Sequence, residues 1–449
     1  MLVIAHGLVG RADLPIPKAV FAAAAAGVLV VSFAALAALW STPRLQRRPE
    51  RRLVRVPVGI DVIGGVFGVL VLAVTAYAGL AGTDDPRDNL APWMVYVAFW
   101  VGVPCASLLL GDVWRVVSPW RALGRGGGWL VRRLGGDELP EPLAYPARLG
   151  RWPAAAGVLA FGICELCWGA AQEPGPLAAL MLGYVAVMLV GMSLYGVEAW
   201  TRNGDAFGVY FGCFAALAPL ERRAGTLYAR PPVVGAGRVD GRPGTVALLL
   251  AGIGVTAFDG ASEGPLFNDV LPDLQEAFVE LGLGLGKALE LGFGTGLLAT
   301  LALVGLVWGT AVAGMPRART QPARRPGPQL AHALIPILAA YVVAHYFSLV
   351  AYNGQDLVRL ASDPLGDGSD LFGGASATID YGAVSATAIW YLQVAALVLG
   401  HVAALVLAHD RALVLYGSHR GATRSQVVML VLMVCFTCLG LWLLSAANS

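Results

Sequence analysis

Of the 31 basic residues in this 449-residue chain, 26 fall in five segments that alternate with paired apolar runs. Segregation of this kind sets membrane topology, because Lys and Arg accumulate in cytoplasmic loops while acids count little. The pattern predicts an all-α, polytopic transmembrane helix bundle with every Arg-rich segment on the cytoplasmic side. Composition agrees: the chain is 57% hydrophobic and 13% charged, with mean hydropathy +0.67. A soluble domain carries about 25% charged residues. Nucleic-acid binding is the rival reading of arginine clusters, but regular spacing between apolar spans argues for topology, so the expected partner is the lipid bilayer. Arginine outnumbers lysine heavily, with only Lys18 and Lys287 present. That skew suggests a GC-rich bacterial genome and hence a bacterial plasma membrane.

Ten apolar runs are read as spans: 19–40, 59–81, 93–110, 152–170, 177–200, 245–258, 293–313, 330–352, 387–408 and 427–444. Most approach the roughly 20 residues needed to cross about 30 Å of hydrocarbon. The first run is too long for a signal-peptide core, so it is retained as a helix behind an outer arm, 1–18. The run 245–258 is the shortest, interrupted by Gly252 and Gly254 and closed by Asp259. The Arg-rich loops are then 42–58, 112–151, 201–243, 316–326 and 410–426. The outer segments are 259–292 and 353–386, 445–449 is a tail, and both termini face outward. Leu271, Leu274, Phe278, Leu281 and Leu285 recur at helical spacing, which predicts an amphipathic helix on the outer interface. The Gly-, Asp- and Ser-rich stretch 353–385 reads as a surface loop or as a lid over an outer cavity.

Ionisable residues inside spans are functional candidates, because burying them costs several kcal/mol on most estimates. Glu165, Asp259 and His345 all fall toward the outer side of their spans. Two carboxylates and an imidazole are ligand types for one divalent metal ion, with His6 of the outer arm as a further ligand. The same three residues suit proton relay, or acid/base catalysis of a small-molecule reaction. His401 lies near mid-membrane; a haem bridged by His345 and His401 would need them at one depth, and the span ends place them about two turns apart. Cys164 with Cys167, and Cys435 with Cys438, form two CxxC pairs on helices, where thiols serve as buried hydrophobes or as soft-metal ligands. Asp61 and Glu198 sit at cytoplasmic span ends with arginines nearby, so ion pairing is expected there. Two stretches, 111–121 and 200–219, each join Trp, Arg and Asp near a span end. They read as interfacial anchors, or as a loose internal repeat of the transporter type.

Four stretches carry a wider likeness. They are Ala5-His6-Gly7-Leu8-Val9-Gly10-Arg11-Ala12-Asp13-Leu14-Pro15, Gly111-Asp112-Val113-Trp114-Arg115 with Pro119-Trp120-Arg121, Ala344-His345-Tyr346-Phe347-Ser348, and Trp390-Tyr391-Leu392-Gln393 leading to His401, His409, Asp410 and Arg411. In these the chain resembles a family of actinobacterial multi-pass membrane proteins often labelled fenitrothion hydrolase. The resemblance implies a shared multi-pass fold and hydrolysis of an organophosphorus triester, and it carries no catalytic residue onto this chain. Three classes of function stand open at this point: a membrane-embedded hydrolase with an outward site at His345, Glu165 and Asp259, a transporter or permease using the same residues, and a non-catalytic scaffold subunit.

Overall fold

Hydrocarbon offers no partner for backbone N–H and C=O groups, so apolar runs of this length form helices. They do so throughout the computed structural model, which describes residues 18–45, 50–135, 141–316 and 326–446. The helices are α1 (Lys18–Leu39), α2 (Gly59–Ala81), α3 (Leu90–Leu110), α4 (Pro119–Gly135), α5 (Trp152–Cys167), α6 (Pro174–Tyr195) and α7 (Val197–Asn203), continuing with α8 (Ala206–Ala215), α9 (Thr245–Ser262), α10 (Pro265–Glu280), α11 (Leu285–Ala313), α12 (Leu334–Ser362), α13 (Ala386–Tyr416) and α14 (His419–Ala446). Among the described residues, seven helices are long and apolar enough to cross a membrane. Exposed Val, Leu, Ile and Phe side chains line the outward faces of α2, α6 and α11, as lipid contact requires. In the segments Thr245–Ser262 and Pro326–Ser362, 67% of the apolar 18-residue core is instead buried, which makes α9 and α12 the central pair.

Details of the expected spans and loops change. The run 245–258 is not broken at its glycines: α9 continues unbroken to Ser262. Gly252 serves close packing, since a Cβ there would lie 2.7 Å from the Tyr210 ring. The loop 201–243 is not merely a loop. It contains α8, whose side chains Phe207, Tyr210, Phe211 and Phe214 are buried among α3, α5 and α12. Ten residues rise about 15 Å, half a bilayer core, so the segment lacked the length that marks a span. Arg230 closes its C-terminal end, donating from Nη2 to Ala215 O at 2.9 Å and from Nε to Ala218 O at 3.1 Å. Finally, the all-α bundle carries a small sheet at its arginine-rich side. The Arg-rich loops 42–58 and 201–243 pair as a small antiparallel sheet of β1 (Arg51–Arg55), β2 (Leu220–Arg223) and β3 (Thr226–Ala229), in the order β1-β3-β2. Arg222 pins that sheet to the first turn of α2 through a two-pronged pair with Asp61, at 2.6 and 2.9 Å.

Toward the acidic end lies α10, the helix that the leucine spacing predicts. It packs along α11, and Leu266, Phe267, Val270 and Leu274 line the cavity described below. Part of the stretch 353–385 is helical, because α12 runs on to Ser362. The remainder bonds back to the α2–α3 turn, through Thr83 N to Leu365 O and Leu90 N to Pro364 O. None of its residues lines the cavity described next.

Candidate functional site

α9 brings Asp259 against α12 where His345 and Tyr346 are neighbours in sequence. Consecutive helical residues point about 100° apart, so both can reach one acceptor only if it lies between them. Asp259 is that acceptor. Its side chain is fully buried, His345 Nε2 lies 2.9 Å from Oδ2, and the Tyr346 hydroxyl donates to the same oxygen at 2.6 Å. The imidazole and phenol rings stand edge to face, with centroids 4.6 Å apart. An ionised carboxylate can only accept. With Asp259 ionised, Nε2 carries the imidazole proton and Nδ1 is left basic, turned toward Gly260.

Glu165 reaches the same place from α5. It is 6% exposed and close enough to Asp259 for their charges to interact. Its Oε2 is buried with no hydrogen-bond partner among the described residues, as is the Tyr210 hydroxyl. Trp100 stacks on Tyr210, with centroids 4.9 Å apart and planes 11° apart. It sits in the π-helical stretch of α3, Met94–Gly102, a distortion often found at functional sites.

The structure thus brings together Glu165, Asp259 and His345, the three span residues singled out in the sequence. It adds Tyr346, whose position beside His345 was visible but whose role needed the third dimension. His6 lies outside the described residues. Among the described residues no three His, Cys, Asp or Glu side chains are grouped to hold a metal ion. His345 Nε2 is also committed to the carboxylate that would be its fellow ligand. Cys164, Cys167 and Cys435 are free thiols.

Of the four clustered residues, His345 alone lines a cavity of about 590 Å³ between α9, α10, α11, α12, α13 and α14. The walls are almost entirely apolar, with Phe267, Val270 and Trp308 among them and Tyr341 and His401 as further polar members. Pockets that hold small molecules typically span about 300–1,000 Å³. His401 is turned to its own helix, Nδ1 lying 2.7 Å from Leu397 O. His409 and Asp410 serve the other end of the bundle. His409 Nε2 lies 3.0 Å from Trp40 O, and Asp410 accepts from Leu45 N at 3.0 Å and from Trp40 Nε1 at 3.2 Å. Compared with known proteins, the chain matches no family model, no curated protein and no solved structure.

Proposed function

We propose that this integral membrane protein is a hydrolase that takes an apolar ester into the cavity and uses His345, oriented by Asp259, as its base. The observation that carries the reading is an imidazole fixed by a buried carboxylate in the wall of an apolar chamber. Nδ1 of His345 takes a proton from water as its oxygen attacks the ester centre, the bond to the leaving oxygen breaks, and the imidazolium returns the proton to that oxygen. Asp259 holds the ring orientation and offsets the charge on the imidazolium. The low polarity of the walls selects neutral, lipophilic molecules over ions. A neutral organophosphorus triester satisfies that criterion, and this choice of ester rests on the family resemblance.

The test is release of the phenol from a neutral aryl phosphate triester by protein in proteoliposomes. Wild type should turn over, and His345→Gln should fall by about 10²–10⁴-fold, the range that general-base catalysis contributes. Equal rates in both would sink the reading. A proton-coupled carrier is the second reading, favoured by the two interacting buried carboxylates Glu165 and Asp259, since such groups mark proton pathways in membranes. It would show as pH-gradient-driven uptake that Glu165→Gln abolishes, with no product formed.

A further inference from the structure

The stretches 111–121 and 200–219, set apart in sequence as Trp- and Arg-bearing span ends, meet in space. Together with Arg151 they enclose a pocket of about 210 Å³ at the arginine-rich end of the bundle, separate from the His345 cavity. Four guanidinium groups line it, those of Arg115, Arg121, Arg151 and Arg202. The lining carboxylates are three, and each is already engaged. Asp205 accepts from Trp120 Nε1 at 2.8 Å and from the Tyr184 hydroxyl at 2.9 Å. Asp112 accepts from Arg115 N at 3.1 Å. Glu198 is shared by Arg121 at 2.9 Å, Arg125 at 2.6 Å and Arg115 at 3.5 Å. Arg151 in turn pairs with Asp240 at 2.9 Å, so the four lining arginines and Arg125 make five guanidiniums against four carboxylates, which leaves one positive charge over.

Two buried donors on the lining are also unused. Trp114 is 6% exposed, and its indole Nε1 has no hydrogen-bond partner among the described residues. The same holds for Arg151 Nε. Among the described residues Arg202 has no acidic partner. Surplus guanidinium charge, a fixed indole N–H and room for several water-sized groups together describe a receptor for an oxyanion.

We infer that this pocket binds a phosphate group. Arginine matches the phosphate oxygens with paired donors, and Trp114 supplies a neutral donor that discriminates by position. Basic pockets between membrane helices take phospholipid headgroups, and a soluble phosphate presents the same oxygens, so both sources are probed. The inference stands independently of the hydrolase reading, because it uses no residue of the Asp259 cluster.

The experiment uses the full chain in two arms, with Arg202→Gln and Trp114→Phe beside wild type. Arg202 is exposed and Phe preserves an aromatic ring, so both variants should fold. In the first arm, thermal unfolding in detergent is followed against inorganic phosphate, with chloride holding ionic strength constant. In the second, native mass spectrometry records lipid retained from phosphatidylcholine nanodiscs with and without phosphatidylglycerol. Binding in the first arm identifies a soluble phosphate, and retention in the second alone identifies a headgroup. Either way, each variant should weaken binding by about ten-fold, the scale of one lost charge-assisted hydrogen bond. No binding in either arm, or binding equal in wild type and both variants, overturns the inference.

Discussion

At one end of this molecule a single carboxylate, Asp259, is held by an imidazole and a phenol inside apolar walls. At the other, Glu198 is shared by three arginines in a pocket where charged side chains crowd together. Both are ionisable groups in a helical bundle, but burial makes them behave differently. The Asp259 cluster is buried, so each hydrogen bond is hard to replace. Glu198 is half-exposed, so water can stand in for any one arginine and the pairs contribute modestly. The first arrangement suits positioning one proton; the second suits recruiting a charged ligand.

The widest separation between the two regions should come from Asp259→Ala. It strands the His345 and Tyr346 donors in an apolar site, which costs on the order of 3 kcal/mol, and it should abolish turnover. Denaturation in detergent together with the ester assay would show both effects, and an unaltered melting temperature would break the contrast with Glu198. Next in size is Gly252→Ala. The added Cβ meets the Tyr210 ring at 2.7 Å and should destabilise by about 1–3 kcal/mol through overpacking, which the same melt would register. The smallest effect is expected at Glu198→Gln, under about 1 kcal/mol, because that side chain is 46% exposed.

Acid should also reach the two regions differently. Burial by itself would raise the Glu198 carboxyl, but Arg121 and Arg125 outweigh it and hold the group below its ordinary value of 4.5. A carboxylate depressed in the folded state gives stability that is fully present above its unfolded value. That stability is lost as pH falls through the lower folded value. A wild-type melting curve should therefore lose stability below about pH 4.5, and Glu198→Gln should flatten that part of the profile. A Glu198→Gln profile superimposable on wild type would show that the arginine cluster does not act through this carboxylate.

The two regions were also unequally legible in the sequence. Glu165, Asp259 and His345 stood out because an ionisable residue inside an apolar run is conspicuous, and arginine segregation placed all three toward one side. Helical period then explains why Tyr346, one residue from His345, shares its acceptor only when α9 lies between them, which no single-segment pattern could show. The arginine pocket stayed hidden for the opposite reason. Its residues lie at and beyond span ends where charge is expected, and their pairings join Arg121 to Glu198 and Trp120 to Asp205, across 77 and 85 residues. The helix α8 escaped notice because ten apolar residues fall below span length. The small sheet escaped because Arg51–Arg55 and Thr226–Ala229 carry no strong strand alternation and pair only with each other's help.

The central claim is that Asp259 and His345 act as one unit on a molecule in the apolar cavity. Its most direct test is turnover of the neutral triester by wild type, Asp259→Asn, His345→Gln and the double variant in proteoliposomes. Residues that work as a unit are non-additive, so the double variant should be no slower than His345→Gln alone. Losses that multiply, or single variants that keep the wild-type rate, would contradict the claim.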